Sequence, residues 1–592
     1  MQPAEVVLNV LRERDRKDLP CAQLYRQLFN KDLYLLAYGN IYSNKGAMTP
    51  GASEETADGM SEDKIDQIIK AMRQEKYRFS PARRVYIPKK NGKLRPLVGM
   101  PTWSDKLVGE VVRLLLEAFY DPQFSDSSHG FRRFQGCHTA LREINNTWTG
   151  TAWFIEGDIS DCFGSLDHEI LLGILAEKIH DNRFLRLIRH MLKAGYLEDW
   201  DYHDTLSGVP QGGTGSPILS NIYLHKLDEF VERELIPQYT RGATRAANPA
   251  YRQVDALLRR ARRREDRAEA RRLTLQMRTL PSTDPMDPGY RRLRYVRYAD
   301  DHLLGFTGPR AEAEEIKAKL ARFLRETLGL ELNQDKTLIT HARSQRARFL
   351  GYDITVQHSS TKISNGRRSA NGKIALKVPS DVVRAQCARY RKHGKPWHRP
   401  RLQNLDDYDI VRVYGAEYRG VVNYYLLAQD VWRLRTLRWH AEVSMLKTLA
   451  LKHQSTVTKM AACHKAKVIT GDGPRTCFEA RQRRRGRPDL VARFGGIILR
   501  QDRRAVITEA APVRVRVPRK ELLARLRQRE CELCETGTTV AVHQVAGLYE
   551  LGKPGPDQPA WAAIMARKRR KTLIVCAPCH DWIHANPVAH AA

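Results

Sequence analysis

The sequence predicts an α+β chain, with a mixed front part, a helical region behind it and a small zinc-bound module at the end. Three observations carry this expectation. LRYVRYADDHLLGF, from Leu293 to Phe306, sets two adjacent acids, Asp300 and Asp301, between strand-like flanks. The stretch from Tyr414 to His453 is aromatic and basic along a helical pattern. Cys531-x-x-Cys534 and Cys576-x-x-Cys579 are two thiol pairs at the spacing of a tetrahedral structural zinc site. With 592 residues the chain holds several domains and ample core.

Taken in order, SEDKIDQIIKAMRQEK reads as a helix whose Ile65, Ile68, Ile69 and Met72 recur at core spacing. Tyr86 to Leu97 reads as a hairpin around an Asn91-Gly92 turn. Its cations suit a triphosphate, lysine as a point charge and arginine as a bidentate fork. Trp153 to Ile159 is a short apolar run that delivers Asp158 at its end, and Asp167 in GSLDHEILLGIL is placed to cap a helix. Ser207 to Pro217 is too rich in Gly and Pro to be helical and feeds a helix beginning near Ile218. A backbone so bare of side chains can approach a base pair closely. Residues 241–280 hold twelve arginines against four acids, with ARRREDRAEARR read as one solvated helix carrying intrahelical ion pairs. That insertion, 241–290, is either a soluble face or a grip on RNA.

The paired acids have a chemical reason. Joining a nucleotide to a primer uses two divalent cations about 3.5–4 Å apart. Such hard cations take carboxylate oxygens, and a tight turn on rigid flanks presents them well. Asp158 supplies a third carboxylate in a matching context, a strand end.

At Asp158, at Phe163 five residues on, and at Tyr298-Ala299-Asp300-Asp301, the chain resembles the palm of a reverse transcriptase. The resemblance implies right-hand polymerase fingers and palm, with Asp158, Asp300 and Asp301 holding two Mg²⁺ ions. It casts Phe163 as the gate against a ribose 2′-hydroxyl, core packing being the other reading, and Gln211 as a wall of the nucleotide pocket. Lys89 and Arg95 become contacts to the dNTP triphosphate. Lys336 falls near the incoming nucleotide, where it would protonate the pyrophosphate, and Phe349-Leu350-Gly351-Tyr352 matches a primer-side turn.

Both ends narrow the family. Ile41 to Gly51 resembles the extension before the fingers of group II intron-encoded proteins, and the aromatic helical region resembles their thumb-like maturase domain. This implies that Arg419, Asn423, Tyr424, Tyr425, Lys447 and Lys452 lie at or near an RNA surface, where rings stack on bases and cations meet phosphate. For the tyrosines, core packing is the competing reading. The terminal thiol pairs, with AVHQV around His543 and CHDWIH around His580 and His584, resemble an HNH endonuclease module of ββα form. The three histidines are then candidate ligands of one divalent ion. The family often shows two adjacent histidines, but position 544 is glutamine, and an amide is no general base at neutral pH. Either another group such as His584 deprotonates the water, or the module binds DNA and cuts poorly.

Composition agrees with a nucleic-acid partner. The formal net charge is +33 and the pI about 9.9. The other six of the ten cysteines are scattered singly, which argues for a reducing compartment, and no signal or membrane-length apolar run is seen. A bacterial cytoplasm is expected, with an organelle as the alternative. The expected domains are an N-terminal extension (1–60), fingers and palm (61–375), a maturase or thumb domain (376–480), a basic linker or DNA-contacting segment (481–525) containing RQRRRGRP, and the zinc module (526–592). The expected function is RNA-directed DNA synthesis, maturase action on the encoding intron RNA within a lariat ribonucleoprotein, and nicking of target DNA. Monomer and dimer both stay open. The rival readings are a cellular or defence-related reverse transcriptase and a splicing-only RNA-binding factor.

Overall fold

A computed structural model describes residues 2–44, 46–88, 94–198, 201–203, 205, 207–208, 213–285, 287–359, 362–364, 367–368, 371–484, 488–507, 516–552, 555 and 558–588. In the N-terminal region, helices α1 (Ala4–Arg16) and α2 (Lys31–Ile41) lead to a two-residue strand, β1 (Met60–Ser61), and to α3 (Glu62–Arg73). As the spacing predicts, α3 buries Ile65, Ile68, Ile69 and Met72, and the Ser61 hydroxyl caps it by accepting from the Lys64 N–H. Strands β2 (Ala82–Pro88) and β3 (Leu94–Met100) form the expected hairpin, with Ile87 opposite Arg95. Lys89 and the Asn91-Gly92 turn lie outside the described residues. Helix α4 (Trp103–Tyr120) is the spine of the first core, packing against α1 and α2.

Next come β4 (Trp153–Gly157), α5 (His168–Ala176), β5 (Tyr196–Glu198), β6 (Asp201–His203) and α6 (Ser216–Phe230). Asp167 caps α5 through the Glu169 and Ile170 N–H groups, as expected. The fingers sheet runs β3-β2-β5-β6. The basic insertion differs from the expectation of one helix over ARRREDRAEARR. It is a hairpin of α7 (Pro249–Arg263) and α8 (Arg267–Thr279) closed over Val254, Leu258, Ala261 and Leu273. The chain breaks at Glu265, whose φ is +58°, and Asp266 caps α8 by accepting from the Glu269 N–H at 3.0 Å. That Asp-x-x-Glu pattern is a helix-start signal inside what composition reads as one run.

The palm sheet runs β7-β8-β4-β9, from β7 (Arg292–Tyr298), β8 (Asp301–Thr307), β4 and β9 (Ile339–His341), all antiparallel. Ile155 and Leu304 face one core, with α6 and α9 (Arg310–Leu328), while Phe154, Val296 and Leu303 face another. A sheet covered on both sides explains why these strands are apolar without clean alternation. Strands β10 (Ala347–Phe349), β11 (Tyr352–Val356) and β12 (Ile374–Lys377) lead to the thumb helices α10 (Asp407–Tyr424) and α11 (Arg435–Lys452).

Behind the thumb helices stands a further antiparallel sheet of β13 (Lys465–Thr470), β14 (Gly473–Gln482) and β15 (Leu490–Gly495). The expected linker 481–525 is therefore structured over its first part: β15 buries Ala492 and Phe494, and the Phe494 ring lies 5.4 Å from Tyr418 of α10. Helix α12 (Arg516–Gln528) sends Leu522 and Leu526 into the N-terminal core. The final module is ββα, with β16 (Val540–Gln544) paired antiparallel to β17 (Thr572–Cys576) and α13 (Ala577–Ala585) following at once. Its sheet has a third strand from far away, because β1 pairs with β16, Met60 opposite Val542 and Ser61 opposite Ala541.

Candidate active site and metal centres

The β7-β8 hairpin turns on two residues, with Tyr298 opposite Asp301 and Ala299 at φ +55°. This tight turn sets Asp300 at the tip and Asp301 at the first position of β8. Next door, β4 ends at Gly157 opposite His302, which brings Asp158 beside Asp301. Burial first, then the charges of Asp300 and Asp158, pushes the Asp301 carboxyl up to about 7. Three carboxylates crowded in this way favour a divalent cation between them. The chain supplies one cation itself: Lys336 Nζ lies 2.7 Å from Asp158 Oδ2, and that contact holds the lysine above its ordinary range.

Packing fixes the turn from behind. Gly130 has no room for a side chain, since a Cβ there would come 2.4 Å from the Ala299 nitrogen. Gly157 faces His302 in the same way, a Cβ falling 1.9 Å from Nε2. Burial pushes the His302 imidazole down to about 4, so it stays neutral beside the acids. Arg297, fully buried, binds Asp228 of α6 through Nε at 2.7 Å and a terminal nitrogen at 2.6 Å. Its other donors reach the Ala299 carbonyl at 3.0 Å, Ser128 Oγ at 2.8 Å and Asn221 Oδ1 at 3.2 Å. The Tyr295 hydroxyl completes Asp228 at 2.9 Å. Sequence reading passes over this network. Its available signal is no more than an arginine on a strand that reads as buried.

Phe163 sits on a single helical turn, Cys162–Ser165, half-buried and edge-on to Phe131 at 6.2 Å. The glycine-rich loop begins beside it, where Ser207 Oγ donates to the Gly164 carbonyl at 3.0 Å and the Gly208 N–H to the Leu166 carbonyl at 2.7 Å. Gln211 lies outside the described residues, and for Arg95 the structure describes the strand only.

The expected RNA-facing residues separate into two groups. Arg419 and Asn423 are exposed on α10. Tyr425 is buried and Tyr424 half-buried, and their hydroxyls donate to the carbonyls of Gly351 at 3.0 Å and Leu350 at 2.8 Å. These are the turn residues of the Phe349 to Tyr352 hairpin, where Leu350 and Gly351 both have positive φ. The two rings pack on Tyr352 and join thumb to palm, which is the core reading of the aromatic pattern. Lys447 donates to the Pro396 carbonyl at 3.0 Å, and Lys452 pairs with Asp407 at 2.7 Å.

The terminal module holds two clusters. The Sγ atoms of Cys531, Cys534, Cys576 and Cys579 lie within 4.8 Å of one another, and Cys576 is at once the end of β17 and the cap of α13. Four convergent thiols fit a structural zinc ion. His543 on β16 faces His580 and His584, one helical turn apart on α13. The second cluster contains a residue that no local signal in the sequence marks, Asp58, whose carboxylate meets all three imidazoles. Burial raises the Asp58 carboxyl, but His543 and His580 more than offset this and hold it well below the usual carboxylate range.

Comparison with known proteins agrees with this geometry. A family model described as reverse transcriptase (RNA-dependent DNA polymerase) matches residues 87–354, one described as type II intron maturase matches 376–470, and one described as AI2M/AI1M-like, HNH endonuclease matches 531–580. The chain is 39% identical to the group II intron-encoded protein LtrA of Lactococcus lactis subsp. cremoris, over 98% of this chain and 99% of that one. It is 34% identical to an uncharacterized 91 kDa protein in the cob intron of Schizosaccharomyces pombe, over 98% of this chain and 72% of that one. It is 32% identical to a putative COX1/OXI3 intron 1 protein of Saccharomyces cerevisiae, over 94% and 68%.

Proposed function

The chain belongs to the group II intron-encoded proteins, with reverse transcriptase, maturase and HNH endonuclease domains, and from this premise we propose that Asp158, Asp300 and Asp301 hold the two Mg²⁺ ions of its DNA synthesis. The observation that carries this reading is the meeting of three carboxylates from two neighbouring strands, with Asp301 raised to about 7 by burial and by the other two. When bound, the two ions would activate the primer 3′-hydroxyl and balance the charge of the triphosphate. Lys336, already 2.7 Å from Asp158, is the chain's own cation at the site and the donor for a proton to the departing pyrophosphate. Phe163 excludes the ribose 2′-hydroxyl by bulk. Lys89, Arg95 and Gln211 are the proposed contacts to the dNTP.

The template and splicing partner is the intron RNA, gripped from the exposed side of α10 at Arg419 and Asn423 and by the neighbouring Lys447 and Lys452. Maturase action needs affinity for the folded RNA and no protein chemistry. Tyr424 and Tyr425 serve it indirectly, by holding the thumb on the palm. Cys531, Cys534, Cys576 and Cys579 bind the structural zinc, and His543, His580 and His584 bind a second divalent ion that faces target DNA. Among the described residues no helix is long and apolar enough to cross a membrane.

The test separates the two activities. Asp301→Ala should abolish primer extension on an RNA template while splicing of the flanking intron continues at near wild-type rate. Loss of both in a folded protein would contradict the assignment. Sequencing the RNA that co-purifies from the native locus checks the partner: one structured RNA with a lariat junction is expected, and a dispersed population would remove the intron from the account.

A further inference from the structure

The histidine cluster of the terminal module is completed from the opposite end of the chain. Asp58 lies just ahead of β1, and the Gly59 N–H donates to the Val542 carbonyl at 3.0 Å, so the added strand carries the carboxylate to the histidines. Asp58 Oδ1 is 3.2 Å from His543 Nδ1, and Oδ2 is 3.2 Å from His580 Nε2 and 2.8 Å from His584 Nε2. One donor atom from each of the four residues lies within 4.8 Å of all the others. His584 is hydrogen-bonded to the carboxylate, but both nitrogens of His543 and Nε2 of His580 are buried without a hydrogen-bond partner. The His543 Nδ1 and His580 Nε2 atoms thus stand 3.2 Å from the Asp58 carboxylate without hydrogen-bond geometry, as donors around a shared ion would. A tetrahedral ion with bonds of about 2.0–2.1 Å holds its donors about 3.3 Å apart, close to the 2.8–3.2 Å between Asp58 and the three histidine nitrogens. Three imidazoles and one carboxylate suit Zn²⁺ or an ion of similar character.

We propose that Asp58 is the fourth protein ligand of this divalent ion, so that the ion clips the N-terminal segment to the terminal module and leaves itself no open coordination position. This rests on the reading of His543, His580 and His584 as ligands. Gln544 supports it independently. At the position where the family often carries a second histidine, its N–H donates to Asp58 Oδ1 at 2.7 Å and its side-chain amide to the Tyr42 carbonyl at 2.7 Å. The departure from the family pattern is thus spent on docking. Arg527 on Asp32 at 2.6 Å and Arg529 on Glu62 at 2.9 Å extend the same contact. Structural sites close their ion with four protein donors, whereas catalytic ones keep a position open. In this arrangement the module is a closed clasp, and withdrawal of β1 with Asp58 is what opens it to DNA.

The test uses the full-length protein with zinc retained on its thiols and Co²⁺ as the probe. Wild type should bind one Co²⁺ beyond the thiolate site, with the intense visible absorption of four-coordination, and binding should slow amide exchange across residues 46–61. Asp58→Ala should weaken that Co²⁺ by at least about tenfold, reduce the band as solvent enters, and abolish the protection. Asp58→Asn, which keeps an acceptor for the Gln544 N–H, should do the same without loss of the fold. If both Asp58 variants keep wild-type affinity and band while His543→Ala loses them, the clasp is wrong and the histidine reading stands. If wild type binds no Co²⁺ beyond the thiolate site, both are overturned.

Discussion

Asp228→Asn is the sharpest probe of how the active-site turn is held. Asp228 and Arg297 have side chains of 0% exposure, joined by two hydrogen bonds of 2.6 and 2.7 Å. The substitution keeps the shape of the side chain and removes its charge, leaving the Arg297 guanidinium buried with no counter-charge. Breaking one partner of such a pair costs about 3–5 kcal/mol. In a chain of several domains a single global unfolding energy is not defined, so the measurement is local: amide exchange in β7 and β8. At about 1.4 kcal/mol per tenfold, protection there should fall by roughly two to three and a half orders of magnitude, while β16 and β17 stay as they were. Primer extension should fall with it, because the same arginine holds the Ala299 carbonyl beside Asp300. The paired replacement Arg297→Met with Asp228→Leu separates the roles. Apolar filling should recover most of the protection, but not DNA synthesis, since the carbonyl, Ser128 and Asn221 still lack their donor. Less than a tenfold change in Asp228→Asn would refute the argument that this pair holds the turn.

Other expectations follow from the same geometry. With Mg²⁺ omitted, Asp301 has a folded pKa of about 7, raised above its ordinary value of 3.8, so its contribution is fully present below that ordinary value and is lost as pH rises from there through about 7; the palm transition in calorimetry should drop over that window in wild type and not in Asp301→Asn. Added Mg²⁺ should therefore raise that transition more at pH 8 than at pH 6, and an equal rise at both would count against the carboxylates as its ligands. Gly157→Ala places a Cβ 1.9 Å from His302 Nε2 and should cut primer extension at least about tenfold with the RNA affinity unchanged, measured by filter binding. Tyr425→Phe removes the hydroxyl bond to the Gly351 carbonyl and should cost about 0.5–1.5 kcal/mol; a loss of RNA affinity with no loss of stability would favour an RNA contact of the hydroxyl instead.

Much of this protein is legible from short-range pattern. The acid pair, the strand that delivers Asp158, the caps at Ser61 and Asp167, the core face of α3 and the two thiol pairs are set by residues a few positions apart, where local geometry decides the outcome. Over ARRREDRAEARR, composition predicts one helix and outweighs the capping signal at Asp266 and Glu269 that starts a second. Strand β15, within the segment expected as a linker or DNA contact, is not legible beforehand, because Ala492 and Phe494 are a weak alternation on their own and gain their meaning only against α10. For Tyr424 and Tyr425, periodicity favours the core without excluding an RNA surface, and the partner each hydroxyl finds is a carbonyl 74 residues away.

What the sequence alone determined is therefore the family and the residue sets proposed for its chemistry: three carboxylates, four thiols and three histidines. Only the tertiary structure decided what stands behind that chemistry. Arg297 finds Asp228 across 69 positions, and His584 finds Asp58 across 526. A buried ion pair or a shared ligand set is a property of two surfaces meeting, and neither partner's own neighbours along the chain identify the other.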